Sequence, residues 1–282
     1  MLEHRFGDSP RVVILMPAYH AGERIINTFS RIPNEYQGDV IIVDDASRDD
    51  TFARAQTLPA RVYRNEKNLG YGGNMKVCFA KGVATGGDVF VELHADGQYD
   101  PAVIREAVRA LRPTDGIVLG SRFQEKGDAL HHGMPVIKFI ANRLLTAIAN
   151  VTLGTRLTEF HSGFHVYTRK FLEQVNTRAN SNDHLFSFEI LLQALWAGFT
   201  IGEIPITCTY GEGVTQVKFR KGVKYAVEML WAIVRYTLAK MGRRDPVFQS
   251  PRVFPEGSRH VDGALPLEVQ TKSHARDDLP SL

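Results

Sequence analysis

Cysteine is scarce: only Cys78 and Cys208 occur, far apart and without C-x-x-C spacing. That excludes a disulfide framework, makes a structural zinc site unexpected, and predicts two reduced, buried thiols. Neither sign of charge is in excess: the formal net charge is +3, from 34 basic and 31 acidic residues. With no Lys/Arg-rich run, a dedicated nucleic-acid binder is excluded, which leaves an anionic small molecule or a weak pull toward acidic lipid. Long apolar runs are missing too. No stretch of about 18 uncharged apolar residues is present, so no conventional membrane span is expected. The first residues, Met1 to Asp8, are polar and lack the apolar core of a secretory signal, so the expectation is a cytoplasmic protein. No internal repeat is visible. Nor does G-x-G-x-x-G follow the first expected strand. Pro17-Ala-Tyr-His-Ala-Gly-Glu23 stands there instead, and this removes the dinucleotide-binding reading.

What is present is an ordinary globular balance, 44% hydrophobic and 23% charged residues, with ample material for a core. From Arg11 to Arg122 short β-branched runs alternate with amphipathic stretches. Strands are expected at Val12 to Met16, Val40 to Val43, Arg61 to Arg64, Val89 to Val91 and Ile117 to Leu119. A helix is expected from Pro101 to Leu111, with Pro101 in its first turn after Asp100. Continuously apolar strands alternating with helices imply a largely parallel sheet covered on both faces, an α/β fold. Ligands of such sheets bind beyond the carboxyl ends of the strands, so the residues there carry the information.

The second half differs. Met134 to Val151 reads as a helix with a polar stripe at Lys138, Asn142, Thr146 and Asn150 on an otherwise apolar cylinder. Gly222 to Lys240 is similar, with Lys224, Glu228 and Arg235 near one face. Helices apolar around most of their circumference need a partner surface: each other and the sheet, a membrane surface beside the active site, or a second copy. The expected domain is 1–242, with a nucleotide-binding half at about 11–122 and an acceptor half at about 123–242. Residues 243–282, rich in Pro, Arg, Asp and Ser, read as a mostly disordered tail.

Two clusters carry chemistry. In Val43-Asp-Asp-Ala-Ser-Arg-Asp-Asp-Thr51, Asp45 sits where a carboxylate can accept from a nucleobase N–H or a ribose hydroxyl. Ser47 follows it, and Asp49 or Asp50 can cap the next helix. In Leu93-His-Ala-Asp-Gly-Gln-Tyr-Asp-Pro101, Asp96 and Gln98 are oxygen donors two apart. That spacing suits either a hard divalent cation sharing phosphate oxygens or a simple strand-end turn. The glycines of Gly70-Tyr-Gly-Gly73 let a helix begin close to a ligand or to the sheet.

Taken in order, Val43-Asp-Asp-Ala-Ser-Arg-Asp-Asp-Thr51, Asn68-Leu-Gly-Tyr-Gly-Gly-Asn74, His94-Ala-Asp-Gly-Gln98, Gly120-Ser-Arg-Phe123 and His161-Ser-Gly-Phe-His165 resemble the family 2 glycosyltransferases. Within them the chain is most similar to the dolichol-phosphate (polyprenyl-phosphate) mannose and glucose synthases, from about Arg11 to about Tyr236. The resemblance implies a GT-A fold, a GDP- or UDP-sugar donor, a divalent metal, and inversion at the anomeric carbon. By position it implies that Pro17, Tyr19, Glu23, Asp45, Ser47, Asn68 and His94 line the donor site. It puts Asp96 and Gln98, with His94 as a further candidate, on Mg²⁺ or Mn²⁺. It puts Arg122 and Lys218 near phosphates, and Ser162 and His165 in the acceptor-phosphate region. Asp96, Arg122, His165 and Lys218 are the catalytic candidates.

Two departures stand out. His94 replaces the first carboxylate of D-x-D, which favours Mn²⁺ over Mg²⁺. His165 replaces an arginine, exchanging a permanent fork donor for a monodentate group. A lipid-phosphate acceptor, already anionic, needs positioning more than a base. For a sugar hydroxyl the nearest candidate bases are Asp183 and Glu189 in Asn182-Asp-His-Leu-Phe-Ser-Phe-Glu189, Asp183 doubling as a helix cap. His131 and His132 read as solvated. A non-catalytic nucleotide-sugar binder is the alternative from another class. A nucleotidyltransferase lacks its glycine-rich Thr-Arg loop here.

Overall fold

The computed structural model describes residues 10–125, 128–208 and 219–249. Seven strands form one sheet: β1 (Val12–Ala18), β2 (Val40–Asp44), β3 (Arg61–Arg64), β4 (Val89–Glu92), β5 (Asp115–Ser121), β6 (His165–Thr168) and β7 (Thr200–Pro205). Their order is β3-β2-β1-β4-β6-β5-β7. β1, β2, β3 and β4 are mutually parallel, as are β5 and β7, while β6 runs antiparallel between β4 and β5. The five expected strands are present. β6 and β7 are additions that no long apolar run announces.

Nine helices cover the sheet among the described residues: α1 (Arg24–Ser30), α2 (Thr51–Ala55), α3 (Tyr71–Val83), α4 (Ile104–Ala110), α5 (Asp128–His131), α6 (Val136–Leu153), α7 (Arg169–Gln174), α8 (Leu185–Trp196) and α9 (Phe219–Lys240). Side chains alternate across each strand, so β1 feeds two cores. Val13 and Leu15 pack beneath α3 and α8, with Met75, Phe79, Phe186 and Phe188. Val12, Ile14 and Met16 pack beneath α1 and α4, with Ile25, Phe29, Ile104 and Val108. Burial on both faces is why these strands read as unbroken apolar runs. Asp100 accepts from the backbone N–H of Ala102 at 3.0 Å and Pro101 opens a short 3-10 turn into α4, as the sequence predicts. Cys78 and Cys208 are both buried thiols.

Of the expected tail, residues 250–282 lie outside the described residues. Residues 243–249 pack on the domain: Asp245 pairs with Arg235 at 2.8 Å, and the buried ring of Phe248 lies 5.4 Å from both Trp196 and Tyr236.

The polar stripe of α6 faces the opposite way from an ordinary surface helix. Asn142 and Thr146 are buried, while Val136, Ile137, Ile140 and Leu144 are exposed. α9 buries Met229, Ala232, Ile233 and Tyr236 and leaves Val223, Val227, Leu230, Trp231 and Val234 uncovered. Among the described residues α6 is the one helix long and apolar enough to cross a membrane by length and composition. Lys138 and Arg143 interrupt the run, which is why no span was expected from the sequence.

Candidate active site

The carboxyl ends of β1, β2 and β4 open side by side, where a mostly parallel sheet places its ligands. Pro17 lies next to the end of β1, which Ala18 closes; Tyr19 beyond is half exposed and stacked on His20 at 4.1 Å. His20 (φ 49°) and Ala46 (φ 56°) both take the left-handed conformation that non-glycine residues avoid. The His20 N–H donates to Ser47 Oγ at 3.0 Å and the Asp45 N–H to the Ala18 carbonyl at 2.8 Å. These two bonds hold the β1 and β2 ends together. Asp49 accepts from both the N–H and the hydroxyl of Thr51, and Asp50 pairs with Arg54. Glu23 lies at the rim, 3.4 Å from Arg54.

Asp45, expected on a base or ribose, is committed to the protein. It is buried and accepts from Leu69 N at 2.8 Å, Gly70 N at 3.0 Å and Asn65 Nδ2 at 2.8 Å. Burial pushes its carboxyl up and these bonds pull it back. Its role is to tie the 65–70 loop to the end of β2. Asn68 belongs to the same tie, donating to the Asp45 carbonyl at 3.3 Å and accepting from Gly70 N at 3.1 Å. Ser47 is buried with its hydroxyl on His20. The glycines have a local partner as well. A β-carbon at Gly72 would fall 2.3 Å from the Ser181 carbonyl, and Gly72 N donates to the Asn182 carbonyl at 2.9 Å. The start of α3 therefore meets the 180–183 segment.

Beyond β4, Asp96 is half-buried, and its Oδ1 accepts from the Gln98 N–H at 3.1 Å. Its Oδ2 makes no hydrogen bond among the described residues. His94 is 23% exposed, with Nε2 3.1 Å from Glu92 Oε1. Among the described residues no three His, Cys, Asp or Glu side chains form a ready-made cation cage. One open carboxylate oxygen beside an amide and an imidazole does fit a divalent ion that draws its other ligands from a diphosphate and water.

The acceptor candidates are placed less simply. Arg122 is almost wholly buried against the fully buried Glu159. Nε sits 3.0 Å from Oε1, Nη2 contacts the same carboxylate, and the Arg122 N–H donates to Oε2 at 2.8 Å. Ser162 is buried, its hydroxyl taking the Phe164 N–H at 3.1 Å. His165 is fully buried with Nδ1 3.1 Å from Glu92 Oε2. It sits on β6 facing the α3–α8 side, so neither residue reaches the open cleft as expected. Lys218 lies outside the described residues. Glu189 accepts from Ser181 N and pairs with Arg235 at 3.1 Å, so its carboxylate is engaged within the protein. Asp183 stays exposed at the rim, accepting from His184 N at 2.8 Å and 3.4 Å from Lys224. No cap is made with its side chain.

The sequence reading missed several residues. Glu92 is the largest omission: it accepts from Tyr71, His94, His165 and Tyr167. Burial alone would raise its carboxyl, but the histidine bonds and charges hold it far below the usual range. Burial likewise opposes charge on His94, and Glu92 outweighs it, raising His94 above the ordinary imidazole value. Beside Arg122, His161 Nδ1 lies 3.1 Å from Tyr225 Oη, joining the site to α9. Burial drops His161 to about 4 and lowers Lys138, which projects from α6 toward the same cluster. The one sequence signal was spacing: Glu92 and His94, two apart, share a face.

Comparison with known proteins gives the family and the fold type. Residues 13–175 match the model of "Glycosyl transferase family 2", more than half of the chain, which therefore belongs to that family and is a glycosyltransferase. The chain is 26% identical over 216 residues to a polyprenol monophosphomannose synthase of Mycolicibacterium smegmatis, covering 73% of this chain and 81% of that one. It is 29% identical over 205 residues to an undecaprenyl-phosphate mannosyltransferase of Micrococcus luteus, covering 70% and 83%. Its fold matches glucosyl-3-phosphoglycerate synthase of Mycobacterium tuberculosis, solved with Mn²⁺, UDP and product, with a TM-score of 0.62 at 17% identity over 86% of this chain and 84% of that one. The sheet and its helices are thus of the GT-A type.

Proposed function

We propose that the protein moves a hexose from a GDP- or UDP-sugar to a polyprenyl phosphate, with inversion, while resting on a membrane surface. The observation that carries this reading is the uncovered apolar face of α6 and α9 flanking the Arg122–Glu159–His161 cluster. Val136, Ile137, Ile140 and Leu144 on one helix and Val223, Val227, Leu230 and Trp231 on the other are exposed. Arg143 and Lys224 lie exposed among them, a pairing of apolar and basic side chains that suits an interfacial helix over anionic headgroups. The names of the relatives, polyprenol and undecaprenyl-phosphate mannosyl transferases, support the same acceptor.

The donor rests at the strand ends, its nucleoside toward Pro17 and Tyr19 and its diphosphate toward His94 and Asp96. Asp96 Oδ2 and the turn through Gln98 are the groups that would hold a divalent ion, which would offset charge on a departing nucleoside diphosphate. An acceptor phosphate oxygen is already anionic near neutral pH, so attack on the anomeric carbon calls for alignment and charge neutralisation rather than a base. Lys138 and Arg122, with its carboxylate partner, supply a positive edge at the foot of α6 for this acceptor.

The test is transfer from GDP-mannose, UDP-glucose and UDP-N-acetylglucosamine to a short-chain polyprenyl phosphate, for the wild-type chain and Asp96→Ala. The expected result is product from one donor class. In Asp96→Ala the rate should fall on the order of 10³-fold, about 4 kcal/mol of transition-state stabilisation, with melting unchanged. Equal rates in the variant refute the role given to Asp96. Transfer to sugar hydroxyls but never to the lipid phosphate refutes the acceptor.

A further inference from the structure

Glu92 has no counterpart in the chemistry described so far, yet it is the most heavily bonded carboxylate beneath the cleft. It closes β4 with no exposed surface. Oε1 accepts from the Tyr71 hydroxyl and from His94 Nε2 at 3.1 Å. Oε2 accepts from Tyr167 Oη at 2.7 Å and from His165 Nδ1 at 3.1 Å. The donors come from the start of α3, the turn after β4, and β6, which pairs Glu92 with His165 in register. A buried carboxylate needs such partners merely to exist, and a network serving only stability would end there. This one does not. His94, one of the four donors, reaches the cleft two residues before Asp96, and its Nδ1 makes no hydrogen bond among the described residues.

The His94 ring is also boxed. A β-carbon at Gly163 would lie 2.7 Å from His94 Cε1, so only glycine allows the 162–163 segment this close. Tyr71 and Tyr99 close two further sides, with centroids 5.5 and 5.9 Å from the ring. An ionised carboxylate accepts and does not donate, so Nε2 must carry the proton of the shared bond. The nitrogen left for the cleft is Nδ1, as a ligand lone pair or an N–H.

We propose that Glu92 is a positioning residue of the donor site, fixing the tautomer and orientation of His94 so that Nδ1 meets the nucleoside diphosphate and its cation. The proposal rests on the donor-site reading given above. Carboxylate partners of this kind orient ligating imidazoles and typically change affinity 10- to 100-fold when removed.

A double-mutant cycle on nucleotide affinity tests it. UDP and GDP are titrated calorimetrically, with Mn²⁺ and with Mg²⁺, into wild type, Glu92→Gln, His94→Asn and the double variant. The expected result is about a 10-fold loss of affinity in Mn²⁺ for Glu92→Gln, with the double variant no weaker than His94→Asn alone, because Glu92 acts through His94. Losses that multiply, or a Glu92→Gln variant that binds as wild type does, overturn the proposal. A second measurement needs no Glu92 variant and so survives any misfolding of it. Long-range ¹H–¹⁵N spectra of the wild-type chain, with His94 assigned from His94→Asn, should show Nε2 protonated at pH 8. A bare Nε2 overturns the pairing. Wild type that binds neither nucleotide refutes the donor site itself, and the proposal falls with it.

Discussion

The strand-end cleft and the outer face of α6 and α9 follow opposite rules of solvation. In the cleft every buried carboxylate is answered: Asp45 by three donors, Glu92 by four, Glu159 by a guanidinium and a backbone N–H. On α6 part of the polar stripe is turned inward, where Asn142 Nδ2 and Thr146 Oγ1 lie buried with no hydrogen-bond partner among the described residues, while Val136, Ile137, Ile140 and Leu144 are turned outward. An unsatisfied buried polar group costs about 1–3 kcal/mol, and exposing Ile or Leu forgoes a comparable gain. The cleft answers its buried charges with its own donors, whereas the helix face leaves apolar side chains uncovered.

The sharpest way to break this contrast is at Glu159, where the two regions meet. Removing one member of a buried pair leaves the other charge uncompensated, a loss of about 3–5 kcal/mol. Glu159→Ala should therefore strand Arg122 and lower the denaturation midpoint markedly. Glu159→Ala together with Arg122→Met should recover much of it. Equal stability of Glu159→Ala and wild type in urea would show that the pair is solvated and the cluster open.

His161 gives the next largest effect, through pH. Its folded value of about 4 lies below the ordinary imidazole value of about 6.5, so the unfolded chain binds the extra proton first. The stability it contributes is fully present above pH 6.5 and is lost as pH falls from there toward 4. At most this amounts to about 3 kcal/mol. Urea midpoints taken from pH 8 to pH 4.5 should fall more steeply for wild type than for His161→Asn. Parallel curves would mean that the ring meets water and the junction with Tyr225 is loose.

The same two regions mark where the amino-acid pattern was informative. β1, β2 and β4 were legible because burial on both faces writes an unbroken apolar run, and the motifs then fell at strand ends. β6 was not: it is four residues long, opens with a histidine, and exists because β4 and β5 flank it. Hence His165 read as a cleft residue when its strand turns it under the sheet. Asp45 and Ser162 misled in a related way. A polar residue at a strand end fits a ligand or a neighbouring loop equally well, and only the third dimension supplies Leu69, Gly70 and Phe164 as partners. Glu92 was hidden because a glutamate closing a short strand looks like a solvent-facing terminus. For α6, periodicity identified the polar stripe but carries no sign: it gives a face, not which side of it is wet.

That missing sign can be measured at the helix face itself, where the expected effect is smallest. Ile137→Gln and Ile140→Gln together remove two exposed apolar side chains without touching the inner stripe. Exposed substitutions change folding stability by about 0.5 kcal/mol or less, so melting should hold. Partition onto vesicles of phosphatidylglycerol and phosphatidylcholine should drop about 10-fold, near 1.4 kcal/mol, because the contact loses part of its buried apolar area. Asn142→Leu makes the opposite change, replacing an inner amide whose Nδ2 has no hydrogen-bond partner among the described residues, and should raise the melting temperature while vesicle binding stays as it was. Should the outer pair leave partition unchanged, the apolar face is not what meets lipid, and a second copy of the chain becomes its occupant. Sedimentation of wild type across a concentration series would then show association.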